Sequence, residues 1–198
     1  MGNLRSVVNA VRAIGAAPIL ASRPEDLATA ERIILPGVGA FGEAMARLRE
    51  AGLVEALTER VVNEGTPFLG ICLGMQLLAT RGFEHGETAG LGWIPGEVRA
   101  LTPGELRVPH MGWNTQKTVR ALPLFAELPA EPTFYFVHSF HFIPDDTAHV
   151  AATVDYGGDV TAVVAKGHIF GAQYHPEKSH KAGIALLKNF LAYQRPAC

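Results

Sequence analysis

The stretch from Thr66 to Leu78 constrains the fold more than any other, because an apolar run there meets Gly-x-Cys-x-Gly and then changes period. Phe68 to Ile71 predicts a short strand buried on both faces of a parallel sheet. Leu73, Gln76 and Leu77 follow at helical spacing. The two glycines allow the backbone to turn sharply between them. The stretch therefore predicts a strand, a tight elbow and a helix.

Cys72 stands at the centre of this elbow, in the position that serine occupies in other nucleophile elbows. The start of a helix favours a thiolate there, since the helix dipole and unpaired N–H groups stabilise negative charge. A cysteine in an apolar run is usually a small buried hydrophobe, but the flanking glycines and the change of period favour a nucleophile. The backbone N–H of Leu73 is then placed to stabilise an oxyanion.

The segment Gly-Ala-Gln-Tyr-His-Pro-Glu-Lys-Ser at 171–179 supplies a base for this nucleophile. The proline after His175 holds that histidine in an extended conformation. Residues two apart in an extended segment point the same way, so Glu177 can orient the imidazole that activates the thiol. A lone His-x-Glu is usually surface decoration, but together with the elbow it predicts a triad of Cys72, His175 and Glu177.

Composition limits the function classes that the chain can serve. Its 198 residues suit a single domain spanning 1–198, and a net charge of −2 gives no bulk attraction to nucleic acid or membranes. Its two cysteines, with no signal peptide and no transmembrane-length apolar run, predict a cytoplasmic protein without a disulfide framework. We expect no functional role for Cys198, which follows Pro196 at the end of the sequence.

Helical and strand patterns alternate along the first half of the chain. This alternation predicts an α/β fold, a doubly wound and mostly parallel sheet with helices on both faces plus small antiparallel strands. The predicted helices cover 3–14, capped by Gly15, then 41–50 and 53–64, and the predicted strands cover 19–21 and 32–35; a helical turn is expected to begin at Pro24.

The second half is dominated by β patterns. Glycines and prolines break 86–109 into a loop with small antiparallel strands. Strands are predicted at 133–142, 149–154, 160–165 and 169–174, with a hairpin at the Gly-Gly of 155–159. A final helix is predicted from Lys181 to Tyr193, with Ile184, Leu187, Phe190 and Leu191 facing inward.

Several segments together resemble the class I (triad) glutamine amidotransferases, and more narrowly the glutaminase subunits of imidazole glycerol phosphate synthases. The resemblance spans nearly the whole chain and is specific in combination. Its motifs are Met-Gly-Asn-Leu-Arg-Ser-Val at 1–7, Leu-Pro-Gly-Val-Gly-Ala-Phe at 35–41, Gly-Ile-Cys-Leu-Gly-Met-Gln at 70–76, Pro-His-Met-Gly-Trp-Asn at 109–114, Tyr-Phe-Val-His-Ser at 135–139 and Tyr-His-Pro-Glu-Lys-Ser at 174–179.

The resemblance implies hydrolysis of L-glutamine to glutamate and ammonia through a thioester on Cys72, without a cofactor or a metal. It assigns a second oxyanion donor to the loop of Gly37 and Val38. It also implies a set of glutamine-binding residues: Gly39, Gln76, Glu84, Ser139 and Phe140.

Val38 stands where related amidotransferases often carry a second glycine. If a peptide flip between Gly37 and Val38 aims the Val38 N–H inward, the β-branched side chain makes the flipped state harder to reach. We therefore expect low glutaminase activity from the isolated chain, and activation when a partner or its ligand shifts this equilibrium.

Ammonia is protonated in bulk water and is then no nucleophile, so a protected route to an acceptor enzyme is expected. The resemblance implies a heterodimer with a cyclase subunit shaped as a (β/α)8 barrel, which forms imidazole glycerol phosphate in histidine biosynthesis. Residues matching the docking face or ammonia gate are Asn3, Trp113, Asn114, Tyr135 and Lys178.

Simpler readings of the candidate residues stay open at this point. Glu84 is alternatively a solvated loop acid, and Gln76 an exposed helix residue. Trp113 and Tyr135 are alternatively ordinary core aromatics, and Lys178 a solvated cation. Three histidines are alternatively structural residues whose ring nitrogens are hydrogen bonded: His110, His138 and His141.

Relatives usually open with a strand ending in Asp-Tyr-Gly just before the Met-Gly-Asn-Leu-Arg segment, at which this chain begins. We expect that first strand to be missing here because the start was assigned too far downstream. Alternative functions are another triad glutaminase of the pyridoxal-phosphate synthase type, a γ-glutamyl peptidase, or a scaffold that keeps the fold after losing catalysis.

Overall fold

Helices form where apolar residues recur at helical spacing. The computed structural model describes residues 2–195, and side chains from residue 4 onward, so the predictions for Cys198 and for the Asn3 side chain lie outside it. The helices are α1 (Gly2–Ala13), α2 (Phe41–Glu50), α3 (Leu53–Thr58), α4 (Leu73–Gln76) and α5 (His180–Ala192). Gly15 follows α1 with a φ of 89°, the left-handed conformation predicted for its cap.

The strands include nearly all of the predicted β segments, together with a long strand at 110–118. They are β1 (Ile33–Gly37), β2 (Phe68–Cys72), β3 (Arg81–Gly82), β4 (Thr88–Ala89), β5 (Gly96–Ala100), β6 (His110–Thr118), β7 (Thr133–His138), β8 (Phe140–Pro144), β9 (Val150–Asp155), β10 (Asp159–Lys166) and β11 (Ile169–Ala172). The Gly157 and Gly158 turn between β9 and β10 makes the predicted hairpin, since both residues adopt positive φ.

The main sheet has the strand order β1-β2-β11-β10-β9-β6-β7. Strands β1, β2 and β11 run parallel, and the strands from β10 to β7 pair antiparallel. The register places Gly37 at the end of β1 directly beside Cys72 at the end of β2. The parallel part of the sheet therefore brings the predicted oxyanion loop to the nucleophile, at the carboxyl ends of the strands.

Helices cover both faces of this sheet. On one face α1 and α5 bury Val7, Val11, Leu187 and Phe190. On the other face α2, α3 and the π-helical turn Glu59–Asn63 bury their own apolar side chains: Phe41, Met45, Leu57 and Val61. A second sheet, in the order β4-β3-β5-β8, packs beside the second face.

The strand predicted at 19–21 is wrong. These residues form no strand, and Ile19 and Leu20 are 79% and 58% exposed. Within the described residues β1 pairs with β2 and has no neighbour on its other side. An apolar segment needs a neighbouring strand to satisfy its backbone groups, and this one lacks a partner.

Candidate active site

The backbone at Cys72 adopts the sharp turn that the motif predicts. Cys72 has φ 55° and ψ −111°, an uncommon conformation for a residue with a side chain, and α4 begins at the next residue. A Cβ on Gly70 would lie 2.4 Å from the Gly74 carbonyl oxygen, and one on Gly74 would lie 1.8 Å from the Leu35 carbonyl oxygen. Both glycines are therefore required by packing, because any larger residue would push α4 away from β1 and β2.

The sulfur of Cys72 is nearly enclosed, since the residue is 7% exposed. The Nε2 group of Gln173 donates to Sγ at 3.7 Å, and Sγ lies 3.9 Å from the Val137 carbonyl oxygen. Residues from β7 and from the segment after β11 thus surround the elbow of β2.

His175 and Glu177 form a buried pair. Nδ1 of His175 lies 2.8 Å from Oε1 of Glu177, and the two side chains are 1% and 0% exposed. Burial lowers the pKa of His175, but hydrogen bonds to Cys72 and Glu177, together with their negative charges, outweigh it and raise the pKa to about 9. Since Nδ1 faces Glu177, Nε2 is the ring nitrogen left to interact with Cys72. With a pKa of about 9, the His175 ring is an imidazolium at neutral pH.

The backbone of His175 is held by β7. Its N–H donates to the Tyr135 carbonyl oxygen at 2.9 Å. The Ser179 hydroxyl donates to the His175 carbonyl oxygen at 2.6 Å and accepts the Tyr135 N–H at 3.0 Å. These bonds fix the turn that carries the histidine and the glutamate.

The predicted oxyanion residues lie around the elbow. A Cβ on Gly37 would lie 3.0 Å from the Leu73 Cβ, so the β1 loop packs directly on the start of α4. Gly39 has a φ of 102°, and Val38 between the two glycines is 52% exposed. The position suits N–H donors beside Cys72, and the oxyanion roles of Leu73, Gly37 and Val38 stay predictions.

Two of the predicted glutamine-binding residues meet next to Cys72. Gln76 is buried, so its alternative as an exposed helix residue is wrong. Its Nε2 donates to the Phe140 carbonyl oxygen at 2.9 Å and to Oε1 of Gln173 at 3.0 Å. The neighbouring Ser139 carbonyl oxygen accepts the Leu101 N–H at 2.9 Å. The glutamine-binding roles remain predictions.

Glu84 is not a solvated loop acid. Its Oε2 accepts the backbone N–H of Phe41 at 2.8 Å, at the first residue of α2. A carboxylate is favourable at a helix N-terminus, so this contact holds Glu84 beside the loop that contains Gly39.

Three of the predicted gate residues, Trp113, Tyr135 and Lys178, lie close together. Trp113 pairs with Tyr135 across β6 and β7, with ring centroids 5.9 Å apart, and Nζ of Lys178 lies 5.8 Å from the Tyr135 ring. Trp113 is 47% exposed, so its alternative as a core aromatic is wrong. Nδ2 of Asn114, the next residue, donates to the Asp155 carbonyl oxygen at 3.0 Å.

His110 and His138 form a buried pair behind the site. His110 Nδ1 and His138 Nε2 are 3.0 Å apart, and His138 Nδ1 lies 2.8 Å from the Phe140 carbonyl oxygen. Burial lowers the pKa of His110 to about 4 and that of His138 to about 3, although the bond to Phe140 favours the charged form of His138. Burial also lowers the pKa of His141.

Gln173 is the residue at the site that sequence reasoning missed. It lies in the same segment as His175, but it follows β11 without belonging to a recognisable catalytic pattern. Its contacts join it to Cys72 and Gln76 in a distant part of the chain, so spacing alone gave no signal for them.

The fold and the sequence define the class of protein. A family model described as Glutamine amidotransferase class-I matches residues 2–193. A structure titled as a glutamine amidotransferase superposes with a TM-score of 0.76 at 21% identity, covering 96% of this chain and 93% of that one. PurLQS from Thermotoga maritima gives 0.76 at 20% identity, covering 96% and 92%. The predicted α/β fold of the class I glutamine amidotransferase type is confirmed.

Curated relatives define the family more narrowly, and each is named imidazole glycerol phosphate synthase subunit HisH. The relative from Caulobacter vibrioides is 46% identical, covering 98% of this chain and 94% of its own length. The relative from Thermosynechococcus vestitus is 48% identical, covering 97% and 92%. The chain therefore belongs to the HisH family of class I glutamine amidotransferases, as the motifs predicted.

Two negative findings concern the described residues, 2–195. None of their helices is long and apolar enough to cross a membrane. No group of three His, Cys, Asp or Glu side chains among them could hold a metal ion.

Proposed function

We propose that this protein is a glutaminase that releases ammonia for the cyclase subunit of imidazole glycerol phosphate synthase in histidine biosynthesis. The observation that carries the proposal is the buried pair of His175 and Glu177, 2.8 Å apart, whose imidazole interacts with Cys72 at a strained elbow. This is the arrangement that cysteine-based acyl transfer needs. The high identity to HisH subunits over almost the whole chain supports the substrate and the pathway.

The reaction begins with attack of the Cys72 thiolate on the side-chain carboxamide carbon of glutamine. The C–S bond forms, and the carbonyl electrons move to oxygen, giving a tetrahedral oxyanion. N–H groups of Leu73 and of the Gly37 and Val38 loop stabilise this charge. The imidazolium of His175 then protonates the departing nitrogen, and the C–N bond breaks to release ammonia.

The thioester left on Cys72 is hydrolysed with the same groups. Neutral His175 takes a proton from water, and the hydroxide attacks the thioester carbon. The C–S bond breaks, and glutamate leaves. The thiolate and imidazolium are restored, while Glu177 holds the ring in one orientation throughout.

The same proposal covers substrate recognition. Gln76, Glu84, Gly39 and the backbone at Ser139 and Phe140 hold glutamine, with the Glu84 carboxylate available to the α-amino group. This assignment is consistent with the hydrogen bonds that join Gln76 to the Phe140 carbonyl oxygen and, through Gln173, to Cys72.

The ammonia passes to a cytoplasmic (β/α)8-barrel cyclase that docks on this chain. We assign that docking face and the ammonia gate to the cluster of Trp113, Tyr135 and Lys178, together with Asn114 and with Asn3, the second residue of α1. An exposed tryptophan beside a tyrosine is typical of a protein interface.

Glutamate release tests the proposal, measured for this chain alone, with the cyclase subunit, and with the cyclase and its nucleotide ligand. We expect slow release alone, because Val38 hinders the oxyanion loop, and at least tenfold faster release with the liganded cyclase. Full activity without the partner would contradict the switch and favour a γ-glutamyl peptidase or another glutaminase.

The Cys72→Ala variant separates chemistry from assembly. It should abolish glutamate release while leaving cyclase binding and synthesis from added ammonia intact, and Cys198→Ala should match the wild type. Unchanged release by Cys72→Ala would overturn the proposed nucleophile.

A further inference from the structure

Gln173 is fully buried between the nucleophile and the predicted substrate site. Its amide nitrogen lies 3.7 Å from the Cys72 sulfur, and its amide oxygen lies 3.0 Å from Nε2 of Gln76. A fully buried amide exposes no atom to solvent, so both of its ends depend on these neighbours for hydrogen bonds.

The donor and the acceptor in each of these side-chain hydrogen bonds follow from one backbone carbonyl group. The Phe140 carbonyl oxygen can only accept, so the end of Gln76 that faces it is the amide nitrogen, 2.9 Å away. The second hydrogen on that nitrogen then points to Gln173, which must present its oxygen. The nitrogen of Gln173 is thereby turned towards the sulfur of Cys72.

The anchoring carbonyl is itself held from a second side. Nδ1 of His138 lies 2.8 Å from the same Phe140 oxygen and donates to it. His138 in turn accepts at Nε2 from Nδ1 of His110, at 3.0 Å. The start of β8 is therefore fixed by two donors, and the amide chain cannot reverse without losing several buried hydrogen bonds.

We propose that Gln173 is a positioning residue with two roles. Its side-chain N–H donates to the Cys72 thiolate, and its side-chain oxygen accepts from Gln76, which leaves the side-chain oxygen of Gln76 turned towards glutamine. The first contact stabilises negative charge on the sulfur through a donor other than His175. The second contact orders a substrate-binding side chain. The catalytic part of this inference rests on the proposed glutaminase function.

Two substitutions separate these contacts. Gln173→Glu keeps an oxygen that accepts from Gln76 but places a carboxylate, which cannot donate when ionised, against the sulfur. Gln173→Met has similar length and removes both contacts. Gln116→Met is the matched control, because Gln116 is also a buried glutamine and bonds to the Tyr174 hydroxyl at 2.8 Å instead of the site.

The first test follows alkylation of Cys72 by iodoacetamide from pH 5 to pH 10 in a Cys198→Ala background, read by mass spectrometry of the Cys72 peptide. We expect both Gln173 variants to alkylate about threefold to tenfold more slowly at pH 7, with the midpoint moved to higher pH. Gln116→Met should keep the parent midpoint even where its melting temperature falls. Equal midpoints in all four proteins would overturn the inference.

The second test measures kcat and KM for glutamate release in the complex with the liganded cyclase. Gln173→Met should raise KM at least threefold more than Gln173→Glu does, because only Gln173→Met disorders Gln76. If the wild type releases glutamate and the Gln173 variants have the same kcat and KM as Gln116→Met, the result would contradict this inference and leave the proposed function standing. Absence of release by the wild type would contradict the proposed function, while the alkylation result still decides the contact with the sulfur.

Discussion

At the scale of single residues, Cys72 adopts a backbone conformation that costs on the order of 1–3 kcal/mol for a residue with a Cβ. The surrounding structure holds it there through Gly70 and Gly74, which pack against backbone atoms. The elbow and its His-x-Glu partner could be read from the sequence because each depends on neighbouring residues. Gln173 could not, because its role depends on where β2, β8 and β11 bring distant side chains together.

Glu177→Gln tests the residue that orients His175. The amide removes a negative charge 2.8 Å from the imidazole, so the pKa of His175 should fall from about 9. We expect kcat for glutamate release in the complex to fall about 10²-fold to 10⁴-fold, because the ring loses its orienting partner. Exposed Glu131 offers the matched control, and Glu131→Gln should retain wild-type kcat.

The same variant changes the dependence of stability on pH. The folded pKa of His175 lies above the ordinary 6.5, so its contribution to stability is full below pH 6.5 and is lost as pH rises through about 9. Urea unfolding at pH 6.5 and pH 9 should show a smaller loss of unfolding free energy in Glu177→Gln than in the wild type. Equal losses would show that Glu177 does not hold the proton on His175.

At the scale of elements, the sequence predicted segments whose periodicity agrees with their surroundings, such as α2, which has the predicted bounds. It failed at 19–21, where an apolar pattern typical of a strand has no neighbouring strand to pair with. No strand was predicted at 110–118, because Gly112, which has a φ of 136°, interrupts the strand pattern there. Pairing partners, and not local preference, decide such segments.

Gly183→Ala tests how α5 supports the catalytic turn. A Cβ on Gly183 would lie 1.8 Å from the Pro176 carbonyl oxygen, next to His175. We expect the variant to lose about 2 kcal/mol or more of unfolding free energy and most of its glutaminase activity, because the turn must move. Urea unfolding and glutamate release in the complex measure both effects.

Gly42→Ala is the control for that substitution, because it also changes a helical glycine. Its Cβ would meet the Thr88 hydroxyl at 3.2 Å, a side chain that can shift. Higher helix propensity should then raise the unfolding free energy by about 0.5–1 kcal/mol. Similar losses in both variants would contradict a specific contact between α5 and the turn.

At the scale of the whole molecule, the His110 and His138 pair joins the two sheets. His110 lies in β6 and His138 ends β7, while the carbonyl that His138 binds begins β8 of the smaller sheet. The structural role predicted for these histidines agrees with their burial and hydrogen bonds. Their connection between the sheets depends on topology, so the sequence alone could not predict it.

His138→Asn tests this connection at acid pH. The folded pKa of His138 is about 3, below the ordinary 6.5, so its stability is present above pH 6.5 and is lost as pH falls. Between pH 7 and pH 5 the wild type should lose about 2 kcal/mol more unfolding free energy than the variant, measured by urea unfolding. His85→Asn, at an exposed position, should keep the wild-type dependence, and an unchanged slope in His138→Asn would contradict the account.

The most direct measurement of the central claim is covalent trapping with a diazoketone analogue of glutamine, applied to the complex with the liganded cyclase and read by peptide mass spectrometry. A cysteine nucleophile at the elbow predicts one adduct, on Cys72, with loss of glutamate release in proportion to labelling and protection by glutamine. An adduct on another side chain, or no adduct while the cyclase is bound, would contradict it.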